Sequence, residues 1–179
     1  MAAIAYANGG RGHRNLPARH DVVPHYNNDG WKSMNAERKR LVLESWDAIG
    51  RNHDRVAVAF YGRLFEIDSA ARSLFAETNM VAQRGKFVQM MGEIVRNLDL
   101  PRELIPAVSA LGRRHVDYGV RDTDYDRVRE ALFAALSAEL GDGFTDDIRD
   151  AWEEAYALTV GVMKRGAKII TSEHPAQES

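Results

Sequence analysis

Between Met34 and Gly166 the apolar residues recur at steps of three and four, with almost no two-residue alternation, and that pattern confines the chain to an all-α fold. The run from Pro101 to Val120 shows it most plainly. Leu104, Val108, Leu111 and His115 follow one another at steps of four, three and four, so the imidazole lies on the apolar stripe of an amphipathic helix. Pro101 suits the first helical turn and Gly119 a stop. A polar ring buried there needs a partner, because leaving it unsatisfied costs roughly 1–3 kcal/mol. That partner is a carbonyl or a metal, and periodicity alone does not choose between them.

Six further helical patterns surround this one. Asn35 caps a first helix that turns Leu41, Val42, Trp46 and Ile49 inward and stops near Gly50. A second begins near Asp54 and buries Val56, Phe60, Tyr61 and Leu64; Asp68 or Ser69 then caps a short turn ending in Phe75. From about Val81 to Asn97 a helix presents Gln83, Phe87, Met90, Met91 and Ile94. Beyond the His115 helix, Thr123 is expected to cap one carrying Tyr125, Val128, Leu132, Leu136 and Leu140 up to Gly141-Asp142-Gly143. Thr145 caps the last long helix, with Ile148, Trp152, Tyr156, Val160 and Met163 inward, and the sequence turns polar after Gly166.

Domain limits follow from the same contrast. Residues 1–34 read as a disordered or loosely docked extension, 35–170 as the folded domain and 171–179 as a polar tail. The extension holds His13, His20 and His25, but a segment with no fixed geometry is a poor metal site. With 45% hydrophobic residues, 28% charged residues and a formal charge of -2 spread along the chain, composition argues against a nucleic-acid stripe or a polybasic membrane patch. No apolar run approaches the roughly 18 residues that span a bilayer, and the first twenty residues lack a secretory pattern, so a cytoplasmic location is expected. Because the chain has no cysteine, thiolate metal sites and thioether attachment of a cofactor are excluded. Walker, dinucleotide-binding, HExxH and nucleophile-elbow motifs are absent.

Local words make the pattern specific. LVLESW at 41–46, AFYGRLF at 59–65 and SLF at 73–75 resemble the first three helices of bacterial flavohaemoglobins and their single-domain relatives. LGRRHVDYGV at 111–120 and GDGFTDDIRDAWEEAYALTVGVMKRG at 141–166 resemble neuroglobin more closely still. Over about residues 36–170 the chain is thus similar to a single-domain globin, which implies a three-over-three helical sandwich around haem b held without covalent attachment. The resemblance makes His115 the proximal iron ligand, with its second ring nitrogen on a backbone carbonyl, and Phe75 the aromatic on the haem face. Tyr61 falls at the distal tyrosine position and Gln83 at the distal helix position; His115 follows Gln83 by thirty-two residues, the separation found in both families. The resemblance places Lys86 and Arg114 to meet the haem propionates, though both also read as solvated surface charges; it places Phe87 to narrow the ligand space or fill core, and Val120 and Val128 to touch the cofactor. Tyr125 matches a tyrosine that in flavohaemoglobins links the proximal histidine to an acid on the last helix, but the matching stretch Met163-Lys164-Arg165-Gly166-Ala167 has no acid, so Tyr125 reads as a core aromatic.

These residues suit reversible binding of dioxygen, carbon monoxide or nitric oxide, for storage, delivery or sensing, because Tyr61 and Gln83 can both donate to a partly anionic ligand. They also suit nitric-oxide dioxygenation. No flavin or nicotinamide segment is apparent in the sequence, so that chemistry would need an external reductase. A third class, a globin fold that has lost haem and acts in signalling, is disfavoured by the presence of His115, Phe75, Tyr61 and Gln83.

Overall fold

The computed structural model describes residues 34–173; residues 1–33, with the three histidines of the extension, and the residues after 173 lie outside the described residues. Seven α-helices appear among the described residues, with no strand: α1 (Ala36–Ile49), α2 (His53–Ile67), α3 (Ser69–Leu74), α4 (Met80–Arg96), α5 (Pro101–Asp117), α6 (Asp122–Leu140) and α7 (Asp146–Glu173). They form the expected three-over-three sandwich, in which α5 packs on α7, α2 on α6 and α1 on α7, and α4 packs on α2 and α1. Among the described residues no helix is long and apolar enough to cross a membrane.

Caps explain most of the boundaries. Asn35 accepts from the Arg38 N–H at 2.8 Å, and Asn79 accepts from the Ala82 N–H at 3.1 Å, so α4 starts at Met80. Asp68 closes α2 and opens α3, accepting from the N–H groups of Ala70 and Ala71. Thr123 is not the cap of α6. The Asp124 carboxylate turns back to accept from the Arg121 N–H at 2.9 Å, which starts the helix at Asp122. The polar composition after Gly166 does not end α7, which continues to Glu173. A polar sequence is compatible with an exposed helical turn, and only the loss of an apolar stripe was visible in the residues.

The most extensive helix pairing is that of α5 with α7. It is close enough that glycine is required. A Cβ built on Gly112 would stand 2.1 Å from the Met163 carbonyl oxygen, and one on Gly166 would stand 2.5 Å from the Ser109 oxygen. The two antiparallel backbones therefore touch at two points, Ser109 with Gly166 and Gly112 with Met163. His115 is the next residue along that row on α5, so its depth is set by this crossing. Elsewhere Trp152 Nε1–H donates to the Ser45 hydroxyl at 2.9 Å, which itself donates to the Val42 carbonyl at 3.0 Å, tying α7 to α1 without a buried polar group left over.

Gly112→Ala is expected to lower stability by about 2–3 kcal/mol, because a backbone neighbour cannot step aside as a side chain can. Thermal unfolding of the full chain should shift down by roughly 5–10 °C. Gly85, exposed on α4 with nothing within 4 Å of its Cβ position, supplies the contrast. There Gly85→Ala should be neutral or stabilising by up to about 1 kcal/mol.

Candidate functional site

His115 is 3% exposed, and its Nδ1 lies 2.8 Å from the Leu111 carbonyl oxygen one turn earlier. That contact makes Nδ1 the protonated nitrogen and Nε2 the lone-pair nitrogen of the neutral ring. After the helix the chain turns sharply: Gly119 adopts φ +72°, and the Val120 N–H returns to the His115 carbonyl at 3.0 Å. Val120 is thereby brought beside the imidazole. Both line an apolar cavity of about 80 Å³ whose walls also include Phe60, Phe87, Tyr125 and Val128.

A second space of about 550 Å³ opens between α4 and α5. Met90, Ile94 and Leu111 line both spaces and partition them. Lys86 and Arg114 stand on opposite walls of this slot, Lys86 on α4 and Arg114 on α5 next to His115. Glu93, Asn97 and Glu103 lie at its other end, near the turn between the helices. The slot is thus apolar within and has cations at the end nearest the imidazole.

Tyr61 and Gln83 meet. Gln83 Nε2 donates to the Tyr61 hydroxyl oxygen at 3.1 Å, and each residue is 3% exposed. Burial pushes the Tyr61 phenol well above its ordinary value, against a smaller opposing effect of the Gln83 hydrogen bond, so the hydroxyl keeps its proton at neutral pH. Neither residue lines the cavity, nor does Phe75. Phe60 and Phe87, stacked at 4.6 Å and 12°, form the wall on that side, and the Tyr61 ring lies edge-on to both. Phe75 packs edge-on against Tyr61 at 5.6 Å and tilts against Phe65 at 5.5 Å. The structure therefore groups Tyr61, Gln83, Phe75 and Phe87 in one aromatic cluster, with the first three set one side chain back from the space that holds His115.

On the opposite side Tyr125 is half-buried, lines the cavity, and lies nearly parallel to the His115 ring with centroids 6.4 Å apart. Its phenol is raised by burial and then by Asp122 and Asp124, carboxylates of its own helix. On α7 the residue facing the ring is a cation: Lys164 Nζ stands 5.1 Å from the ring centre and 3.2 Å from Asp122. Tyr156, also on the cavity wall, donates its hydroxyl to the Tyr125 carbonyl at 2.7 Å.

Two participants were missed in the sequence. Phe60 reads there only as core, because periodicity identifies a buried face but not a stacking partner. Asp124 was passed over altogether, although it is 2% exposed and lines the cavity. The signal available was its place in the first turn of a helix, three residues before Arg127, whose Nη1 donates to it at 2.9 Å.

With this geometry in view, the comparisons with known proteins can be placed. Residues 58–163 match the Globin family. The chain belongs to the globin family. Neuroglobin of Tetraodon nigroviridis is 28% identical over 148 residues, covering 75% of this chain and 93% of that protein. A flavohaemoprotein of Xylella fastidiosa is 31% identical over 134 residues, covering 73% of this chain but only 33% of its own length. Among solved structures, an engineered carbene transferase derived from a candidate nitric oxide dioxygenase of Rhodothermus marinus superposes with a TM-score of 0.68 at 25% identity, covering 79% of this chain and 99% of that one.

Membership brings haem and iron with it, and the residues present can be tested against such a group. An iron porphyrin is an apolar plate with two carboxylates on one edge. It requires an imidazole with an oriented lone pair, apolar walls and cations at the rim. His115, the walls shared by Met90, Ile94 and Leu111, and the Lys86 and Arg114 end of the slot meet those three needs. The side chains common to both spaces, Met90, Ile94 and Leu111, are apolar and conformable.

The Asp124 charge gives this wall a pH dependence. Burial opposes the charge, but hydrogen bonds from the Arg121 N–H and guanidinium outweigh it and hold the carboxyl below its ordinary range. A depressed folded-state value contributes stability that is complete above about pH 4 and is lost as the pH falls through the lower folded value. Urea denaturation should therefore show Asp124→Asn less stable than wild type by about 1–3 kcal/mol near neutrality. The gap should narrow steadily below about pH 4.

Proposed function

We propose that this globin holds one haem b through His115 and binds a small diatomic gas reversibly. The observation that carries the reading is a buried imidazole oriented by the Leu111 carbonyl, on a cavity walled by Phe60 and Phe87, with a buried, protonated Tyr61 phenol fastened to Gln83 one side chain behind that wall. The absence of cysteine supports a non-covalently held b-type group. Bound to one imidazole, haem iron supplies an open coordination position at which a gas can be taken up and returned.

What the chain's own residues do follows from their chemistry. The Leu111 carbonyl accepts the Nδ1 proton, which fixes the tautomer and the ring plane and makes Nε2 a better donor of its lone pair. Gln83 donates an N–H to the Tyr61 oxygen, so the phenol's own O–H remains to be given to a ligand with partial negative charge. Donating into Tyr61 also polarises that O–H. The stacked rings of Phe60 and Phe87 exclude water from the same side. Lys86 and Arg114 are the residues that would meet the propionate edge.

Tyr61→Phe removes the hydroxyl and keeps the ring. A donor worth about 1.5–3 kcal/mol is lost, so oxygen release, followed by stopped flow, should quicken roughly ten- to hundredfold. Carbon monoxide release should change far less, because that ligand carries little negative charge. Equal acceleration of both gases would assign Tyr61 a packing role and overturn its part in this reading.

A second reading, nitric-oxide dioxygenation, is favoured by the Tyr61–Gln83 pair together with the likeness to flavohaemoproteins. The match covers only a third of the flavohaemoprotein's length, and on this reading iron is re-reduced by reductase chemistry that lies outside the matched part. Nitrate formed in step with nitric oxide consumed, when such a reductase is supplied, would support it.

A further inference from the structure

Asp68, Arg127 and Asp124 form an ion-paired cluster that neither iron ligation nor gas binding uses. Arg127 Nη1 donates both to Asp68 Oδ2, at 2.7 Å, and to Asp124 Oδ1, at 2.9 Å. Both carboxylates are largely withdrawn from solvent, their side chains 10% and 2% exposed, while Arg127 is 34% exposed. Charges in such surroundings are held in place by their partners far more firmly than surface pairs are.

The two carboxylates belong to different sides of the pocket. Asp124 lines the His115 cavity, with Tyr125 and Val128 on the same helix. Asp68 spends its other oxygen capping α3. That helix has six residues, buries only Ala71, and packs mainly on α2. So short a helix has little stability of its own and depends on its cap. It delivers Phe75, which follows as its C-cap and is buried against Tyr61 and Phe65.

We infer that Arg127 is a positioning residue that clamps the α3–Phe75 segment to the His115 side of the pocket, and so slows the loss of haem. This inference rests on the haem reading given above. Arg127 touches neither His115 nor the aromatic cluster; it acts through the cap at Asp68 and the wall at Asp124. One guanidinium nitrogen shared between two carboxylates fixes the spacing between α3 and α6, which two separate surface pairs would not do.

The clamp is read by hydrogen exchange and mass spectrometry on the full chain, comparing wild type, Arg127→Met and Arg127→Lys. Arg127→Met should raise exchange at 70–76 by at least about tenfold while leaving α5 and α7 within about twofold, and Arg127→Lys, which keeps a cation, should raise it less. Its consequence is read by transfer of haem to an excess of apomyoglobin, where Arg127→Met should lose haem about tenfold faster than wild type. Exchange at 70–76 within about twofold of wild type, or a rise shared equally by α1, α5 and α7, would overturn the clamp. Local loosening with haem loss within about twofold of wild type would overturn its role in the pocket. If the wild type takes up no haem, the pocket reading fails and the proposal with it, and hydrogen exchange then separates that failure from a failure of the clamp itself.

Discussion

The hydrogen bond from His115 Nδ1 to the Leu111 carbonyl is the interaction on which the rest depends. It joins a helical backbone group to a buried ring and fixes the direction of that ring's free lone pair. A carbonyl at i−4 is normally taken by the helix itself, so the ring shares an acceptor already fixed by helical geometry. The direction of the imidazole is therefore tied to the axis of α5. That axis is in turn held by the glycine crossing, where Gly112 and Gly166 let α5 and α7 approach until backbone meets backbone. A bulkier residue at either point would move the imidazole as well as the helix.

Across the pocket the organising force is desolvation. Tyr61, Phe60, Phe75 and Phe87 pack as one aromatic group, and burial keeps the Tyr61 phenol protonated. A protonated phenol in a dry setting is a directed donor, and Gln83 holds it by its oxygen. On the His115 side the polar groups are arranged differently. Asp124 is committed to Arg121 and Arg127, and Lys164 rather than an acid faces Tyr125. The two sides thus differ in chemistry: one holds a protonated phenol, the other orients a lone pair. This asymmetry is what a reversible gas binder needs, and the cation at Lys164 marks where this chain departs from the acid-bearing flavohaemoglobin pattern.

Much of this was legible in the residues. The step of Leu104, Val108, Leu111 and His115 placed the imidazole on a buried face, and the structure buries it. The spacing from Gln83 to His115 and the AFYGRLF word put Tyr61 and Gln83 in the same neighbourhood, and the two are hydrogen-bonded. The helix start marked by Asn35 is read from a side chain that caps locally. What periodicity does not encode is which of two buried neighbours faces a cavity. Phe60 and Tyr61 are adjacent in sequence and equally buried, yet only Phe60 forms the wall. Likewise the beginning of α6 depended on a reach-back by Asp124, and the Arg127 bridge joins residues fifty-nine positions apart. Such contacts are set by tertiary packing and have no local signature.

The central claim is that His115 supplies the only protein bond to iron in the ligand-free ferrous protein. Resonance Raman spectroscopy of the reduced holoprotein reads that bond as an iron–imidazole stretching band. Wild type should show a single such band of a five-coordinate haem; His115→Gly should lose it and regain it when imidazole is added. A band that persists unchanged in His115→Gly, or a six-coordinate low-spin spectrum of the wild type without added ligand, would contradict the account.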